Sequence, residues 1–161
     1  MAAMIDTSDK EAMAVVVARH GDSLAYASAE LKADWGIVRI AVAQNGLALY
    51  HAALELCRDR EIVTAAVTQN GAALLYAASE LKGVENIDIV RIAVAQNGLA
   101  LMFADSVLTA DRETVATAVA QNGIALLHAA AELQADRGIV ATAVAQYGGA
   151  LQYAAAELQA D

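Results

Sequence analysis

The sequence contains no proline and a single cysteine. Without proline, nothing removes a backbone donor from a helix interior. With Cys57 alone, no internal disulfide framework is possible. Aromatic residues make up 4% of the chain, so any core must be built from small aliphatic side chains. Cations are also scarce. The balance of 10 Lys and Arg against 19 Asp and Glu gives a formal net charge of −9. That balance argues against nucleic acid as a partner, which requires a cationic footprint. Met1–Lys10 carries Asp6 and Asp9 and has no apolar centre, so it does not read as a secretory signal. The missing signal and the lone thiol favour an intracellular location. Residues 138–156 carry no charge, but Gln146, Tyr147, Gly148 and Gly149 interrupt them. We expect a buried helical hairpin there and no membrane insertion.

What is present is repetition. The phrase Ala118–Gly123, Ala-Val-Ala-Gln-Asn-Gly, returns with small changes along the chain. Its glycines are Gly21, Gly46, Gly71, Gly98, Gly123 and Gly148, at spacings of 25, 25, 27, 25 and 25 residues. A fixed period of this size marks a stacked repeat architecture. The expected fold is all-α, an α-solenoid or superhelix of six stacked two-helix repeats. The repeats run over 9–33, 34–58, 59–85, 86–110, 111–135 and 136–160, as one repeat domain (9–161) behind a frayed lead-in (1–8).

Each repeat opens with Asp or Asn: Asp9, Asp34, Asp59, Asn86, Asp111 and Asp136. Such side chains cap helix N-termini by accepting first-turn N–H groups. Apolar residues follow three, four, seven and eight positions later, as at Ile37, Val38, Ala41 and Val42. They form one stripe on a helix of period 3.6. Gln-Asn-Gly then ends the helix, with glycine expected in a left-handed C-terminal cap. A second continuous helix is expected after it. Its leucines stand three and ten residues past each glycine, as at Leu49 and Leu56 or Leu126 and Leu133. The two extra residues at Lys82–Asn86 predict a bulged loop. Asp161 stands where a seventh helix would be capped, as in a piece of a longer array.

These phrases resemble the repeats of the domain of unknown function 4116. The likeness rests on Asp59-Arg60-Glu61-Ile62-Val63, Val94-Ala95-Gln96-Asn97-Gly98 and Tyr76-Ala77-Ala78-Ser79-Glu80-Leu81, and it spans residues 9–160. The resemblance brings no catalytic residues. Arg19-His20, Tyr147 and Asp105-Ser106-Val107-Leu108 depart from its pattern, which suggests end repeats adapted as caps and one altered face.

One column of residues suggests an interaction surface. Five positions past the glycines stand Tyr26, His51, Tyr76, Phe103, His128 and Tyr153. Four further on stand Glu30, Glu55, Glu80, Val107, Glu132 and Glu157. On one continuous helix, residues i and i+4 share a face. Rings flanked by carboxylates suit a peptide bearing Arg or Lys. The same rings also suit packing between repeats, and the sequence leaves both readings open. His51 and His128 lie three repeats apart without clustered ligands, which predicts no metal site. Cys57 falls in a column of exposed residues near a helix end, so a surface thiol is expected. The Gln column (Gln44, Gln69, Gln96, Gln121, Gln146) reads as solvated or capping neighbouring carbonyls. Gln-Asn-Gly lacks the lysine and glycines of a phosphate loop. No acid, base and nucleophile converge, so the expectation is no enzyme and no cofactor. The chain is instead expected to be a scaffold for a protein or peptide. The alternative is a structural spacer or homo-oligomer stacking through its repeat ends.

Overall fold

The computed structural model describes residues 6–160. Contacts divide the chain into two compact units, Met1–Ala78 and Ser79–Asp161. In Met1–Ala78, three ten-residue α-helices form one layer: α1 (Lys10–Arg19), α2 (Trp35–Gln44) and α3 (Arg60–Gln69). Ser79–Asp161 repeats this layer with α4 (Ile87–Gln96), α5 (Arg112–Gln121) and α6 (Arg137–Gln146). The Asp caps are where the sequence puts them. Asp59 accepts the N–H of Ile62 at 2.9 Å, and Asp136 that of Ile139 at 2.9 Å. No strand occurs among the described residues. Each unit packs neighbouring repeats on one another as an all-α repeat solenoid.

The second layer differs from the continuous helix read from the leucine spacing. After each glycine the chain makes a six-residue 3₁₀ helix, as at Gly21–Tyr26, Gly46–His51, Gly98–Phe103 and Gly123–His128. An extended link follows, for example Ala27 (ψ 153°) and Ser28 (ψ 162°), before a short closing turn. The reason is a bond to the previous repeat. The link N–H of Ala53 donates to the Lys32 carbonyl at 2.8 Å, and that of Ala130 to Thr109 at 2.8 Å. Ala78 to Cys57, Asp105 to Lys82 and Ala155 to Gln134 continue the rung. A continuous α-helix would consume these donors internally.

The 3₁₀ period of three residues eclipses positions 0 and 3. Gly46 and Leu49 therefore both point into the core, as do Gly98 and Leu101. Leu24, Leu49, Leu74, Leu101 and Leu126 are fully buried between the layers. Leu133 and Leu158 are only half-buried, and Leu151 is 37% exposed, so the leucine rows are not equally covered.

The Gln-Asn-Gly corner also works differently from a glycine cap. No described residue has positive φ. Glycine is required instead for close approach. A Cβ on Gly46, Gly98 or Gly123 would lie under 3.0 Å from the carbonyl oxygen of Ala66, Ala118 or Ala143 in the following repeat. Asn45, Asn97 and Asn122 cap the 3₁₀ helix, each accepting the N–H two residues on. The glutamine reaches back one repeat. Gln69 accepts the Gly46 N–H at 2.5 Å and donates to the Gln44 carbonyl at 3.3 Å. Gln121 and Gln146 do the same to Gly98 and Gln96, and to Gly123 and Gln121. Carbonyl capping was legible; the accepting half of this clamp was not.

The longer junction is only partly irregular: a 3₁₀ turn at Ser79–Leu81 and a bend at Lys82 and Gly83 precede a second 3₁₀ turn, Val84–Asn86, which runs directly into α4. Asn86 makes no side-chain cap and instead donates to the Glu80 carbonyl at 2.9 Å. Within the lead-in, Thr7 supplies the carbonyl for the Ser28 N–H at 3.0 Å, so Thr7 joins the first rung of the stack. Residues 1–5 and Asp161 lie outside the described residues.

Candidate interaction surface

The ring column ends each 3₁₀ helix, and the carboxylate column sits past the extended link. The two therefore do not share one helix, and the i, i+4 relation read from sequence fails. No hydrogen bond joins Tyr26 to Glu30, His51 to Glu55, His128 to Glu132 or Tyr153 to Glu157. The glutamates are exposed. His51, Tyr76, Phe103, His128 and Tyr153 are half-buried, whereas Tyr26 is 76% exposed. Burial holds the His128 imidazole below its ordinary pKa, favouring the neutral ring.

The structure exposes a neighbouring column that the sequence reading missed. Four residues past the glycines stand Tyr50, Leu75, Met102 and Leu127, between 46% and 65% exposed. In a 3₁₀ helix this position lies about 120° round from the eclipsed core positions. In Met1–Ala78 the two columns meet. The Tyr50 ring lies 5.0 Å from His51, edge-on, and 5.1 Å from Tyr76 of the next repeat. Exposed aromatic and aliphatic groups thus run side by side there. The signal available in the sequence was the apolar residue before five of the six rings.

Cys57 corrects a second expectation. It is 8% exposed, and its thiol donates to the Leu49 carbonyl at 3.7 Å. The short turn Leu56–Arg58 points it inward. Burial, and then the Glu55 carboxylate, pushes its pKa up. This is the opposite of what an activated thiol requires. Among the described residues, no group of three or more His, Cys, Asp or Glu is arranged to hold a metal ion. No described helix is long and apolar enough to cross a membrane, and the uncharged stretch 138–156 breaks at Gln146.

A family model described as "Domain of unknown function (DUF4116)" matches residues 9–57, 37–82, 59–109, 86–134 and 111–159 in overlapping tandem. The chain belongs to the DUF4116 family. Each match covers about two repeats of this DUF4116 array, the smallest unit that contains a complete Gln-to-Gly clamp. No curated protein and no solved structure matches the chain.

Proposed function

We propose that this DUF4116 chain is a non-catalytic scaffold that captures a protein or peptide segment bearing Arg or Lys. One observation carries the reading: Tyr50, at 65% exposure, lies against His51 and Tyr76 in an aromatic group on the solvent side of Met1–Ala78. Exposed rings have faces that attract cations. The net charge of −9 adds long-range attraction for a cationic partner. The test is fluorescence anisotropy of a labelled Lys/Arg-rich peptide against the intact chain. Tyr50→Ala with Tyr76→Ala should weaken capture about tenfold while leaving the circular dichroism unchanged, given the usual weight of aromatic anchors. Equal capture by the double variant, or equal capture of a Glu-rich peptide, would remove the reading.

A second reading is end-to-end stacking. It is supported by Leu151, which is 37% exposed while its counterpart Leu126 is fully buried beneath the following repeat. Nothing lies within 4 Å of a Cβ placed on Gly148, so this face would accept another repeat. Against it, the Tyr147 ring lies over Gly149 and partly covers the same face. Sedimentation across a concentration series decides: a concentration-independent monomer counts against stacking.

A further inference from the structure

Four repeat corners carry asparagine followed by glycine: Asn45-Gly46, Asn70-Gly71, Asn97-Gly98 and Asn122-Gly123. Asparagine is chemically labile, and a glycine after it offers an unhindered nitrogen on a freely turning backbone. Once its proton is lost to base, that nitrogen can attack the asparagine Cγ. The new N–C bond closes a succinimide, the Cγ–Nδ2 bond breaks, and ammonia leaves. Water then opens the ring at either carbonyl, giving aspartate or isoaspartate.

The fold opposes this reaction at each step. The Gly46 and Gly98 N–H groups donate at 2.5 Å to Gln69 and Gln121, and that of Gly123 at 2.6 Å to Gln146. These glycines are buried, so the proton that must leave is held in place. The side-chain oxygens of Asn45, Asn97 and Asn122 are fixed by the N–H two residues on, at 3.0, 3.1 and 3.0 Å. Ring closure also needs the glycine nitrogen to eclipse Cβ about the Cα–C bond. At the observed ψ of 110°, 106° and 112° it points away.

Only the glutamine comes from another repeat, and the sixth repeat shows a corner without it. Its backbone is the same, with ψ 108°, but Tyr147 stands where the asparagine would. Gly148 is exposed, and its N–H finds no acceptor among the described residues. Gly21 is clamped by Gln44 although His20 precedes it, so the clamp permits asparagine without requiring it. Where the clamp is missing, the labile residue is missing too.

We propose that Asn45, Asn97 and Asn122 are latent deamidation sites, each kept shut by the glutamine of the following repeat. Separation of two repeats then becomes a covalent event. Isoaspartate adds a backbone methylene at the corner where Gly98 fits against the Ala118 carbonyl, and both products add a carboxylate there. A corner that has reacted no longer re-stacks as before. This holds whether or not the aromatic group captures a peptide.

The full chain is incubated in warm, mildly alkaline buffer and mapped by peptide mass spectrometry with isoaspartate-specific methylation. Asn45, Asn97 and Asn122 should stay intact in the folded chain and convert together in urea. Gln121→Ala should speed conversion of Asn97 about tenfold, the opening that one lost buried hydrogen bond permits, and leave Asn45 unchanged. Tyr147→Asn sets an Asn-Gly pair on the same backbone without a clamp. That new pair should convert about tenfold faster than Asn97 in the same molecule. Folded chain that converts at Asn97 as fast as in urea would overturn the proposal. So would a Gln121→Ala variant whose Asn97 is no faster, or whose rise is shared equally by Asn45. A Tyr147→Asn variant as inert at its new pair as at Asn97 would overturn it as well.

Discussion

The side-chain oxygen of Gln121 accepts the backbone N–H of Gly98 at 2.5 Å, across a repeat boundary. The glycine is buried, so water cannot easily replace that acceptor. Gln121→Ala leaves the donor unsatisfied and should lower stability by about 1–3 kcal/mol. Gln69→Ala should do the same for Gly46. Urea melts give the answer, and unchanged midpoints would mean that the amides are merely solvated.

Acid should loosen the array through its caps. Hydrogen bonds from the Thr114 hydroxyl and N–H, with Arg91 adding to them, hold the Asp111 carboxyl below the ordinary carboxylate range. The Lys10 ammonium, and then the Ile37 N–H, do so for Asp34. A folded pKa below the unfolded one gives stability that is complete above the unfolded value, near pH 4. It is lost as pH falls through the folded value. Asp111→Asn should therefore reduce stability at pH 7 and flatten its decline between about pH 5 and 2. A decline of unaltered steepness would assign the acid sensitivity elsewhere.

Cys57 should resist thiol reagents while the chain is folded. Its burial and raised pKa both suppress the reactive thiolate. Labelling with a chromogenic disulfide at pH 8 should be slow in buffer and fast in urea. Equal rates would place the thiol at the surface.

The α layer was legible because its information is local. Asp59 and the run Ile62, Val63, Ala66 and Val67 spell a capped, amphipathic helix on their own. The 3₁₀ layer was not, because its decisive contacts lie 20 or more residues away. Leu49 and Leu56 are seven apart, a spacing that a continuous α-helix satisfies equally well. What breaks the helix is the Ala53 N–H reaching the Lys32 carbonyl. Gly46 looked like a cap because glycine usually ends helices that way, yet its role is set by the Ala66 carbonyl. The ring column was found, but the more exposed Tyr50 beside it was overlooked. Under either period that position lies roughly 100–120° from the buried leucine before it, so periodicity alone did not single it out. Cys57 was misplaced because the turn that buries it was read as the end of a longer helix.

The central claim is that the recurrent glycine exists so that one repeat can approach the next. Gly98 and Gly148 separate this from every local role of glycine. Both begin the same 3₁₀ helix and neither has positive φ, but only Gly98 faces a carbonyl, that of Ala118. The measurement is the urea midpoint of Gly98→Ala beside that of Gly148→Ala. The account predicts a loss of about 1–3 kcal/mol or more for Gly98→Ala, as for an overpacked core, and a change within about 0.5 kcal/mol for Gly148→Ala. Equal shifts in the two variants would contradict it.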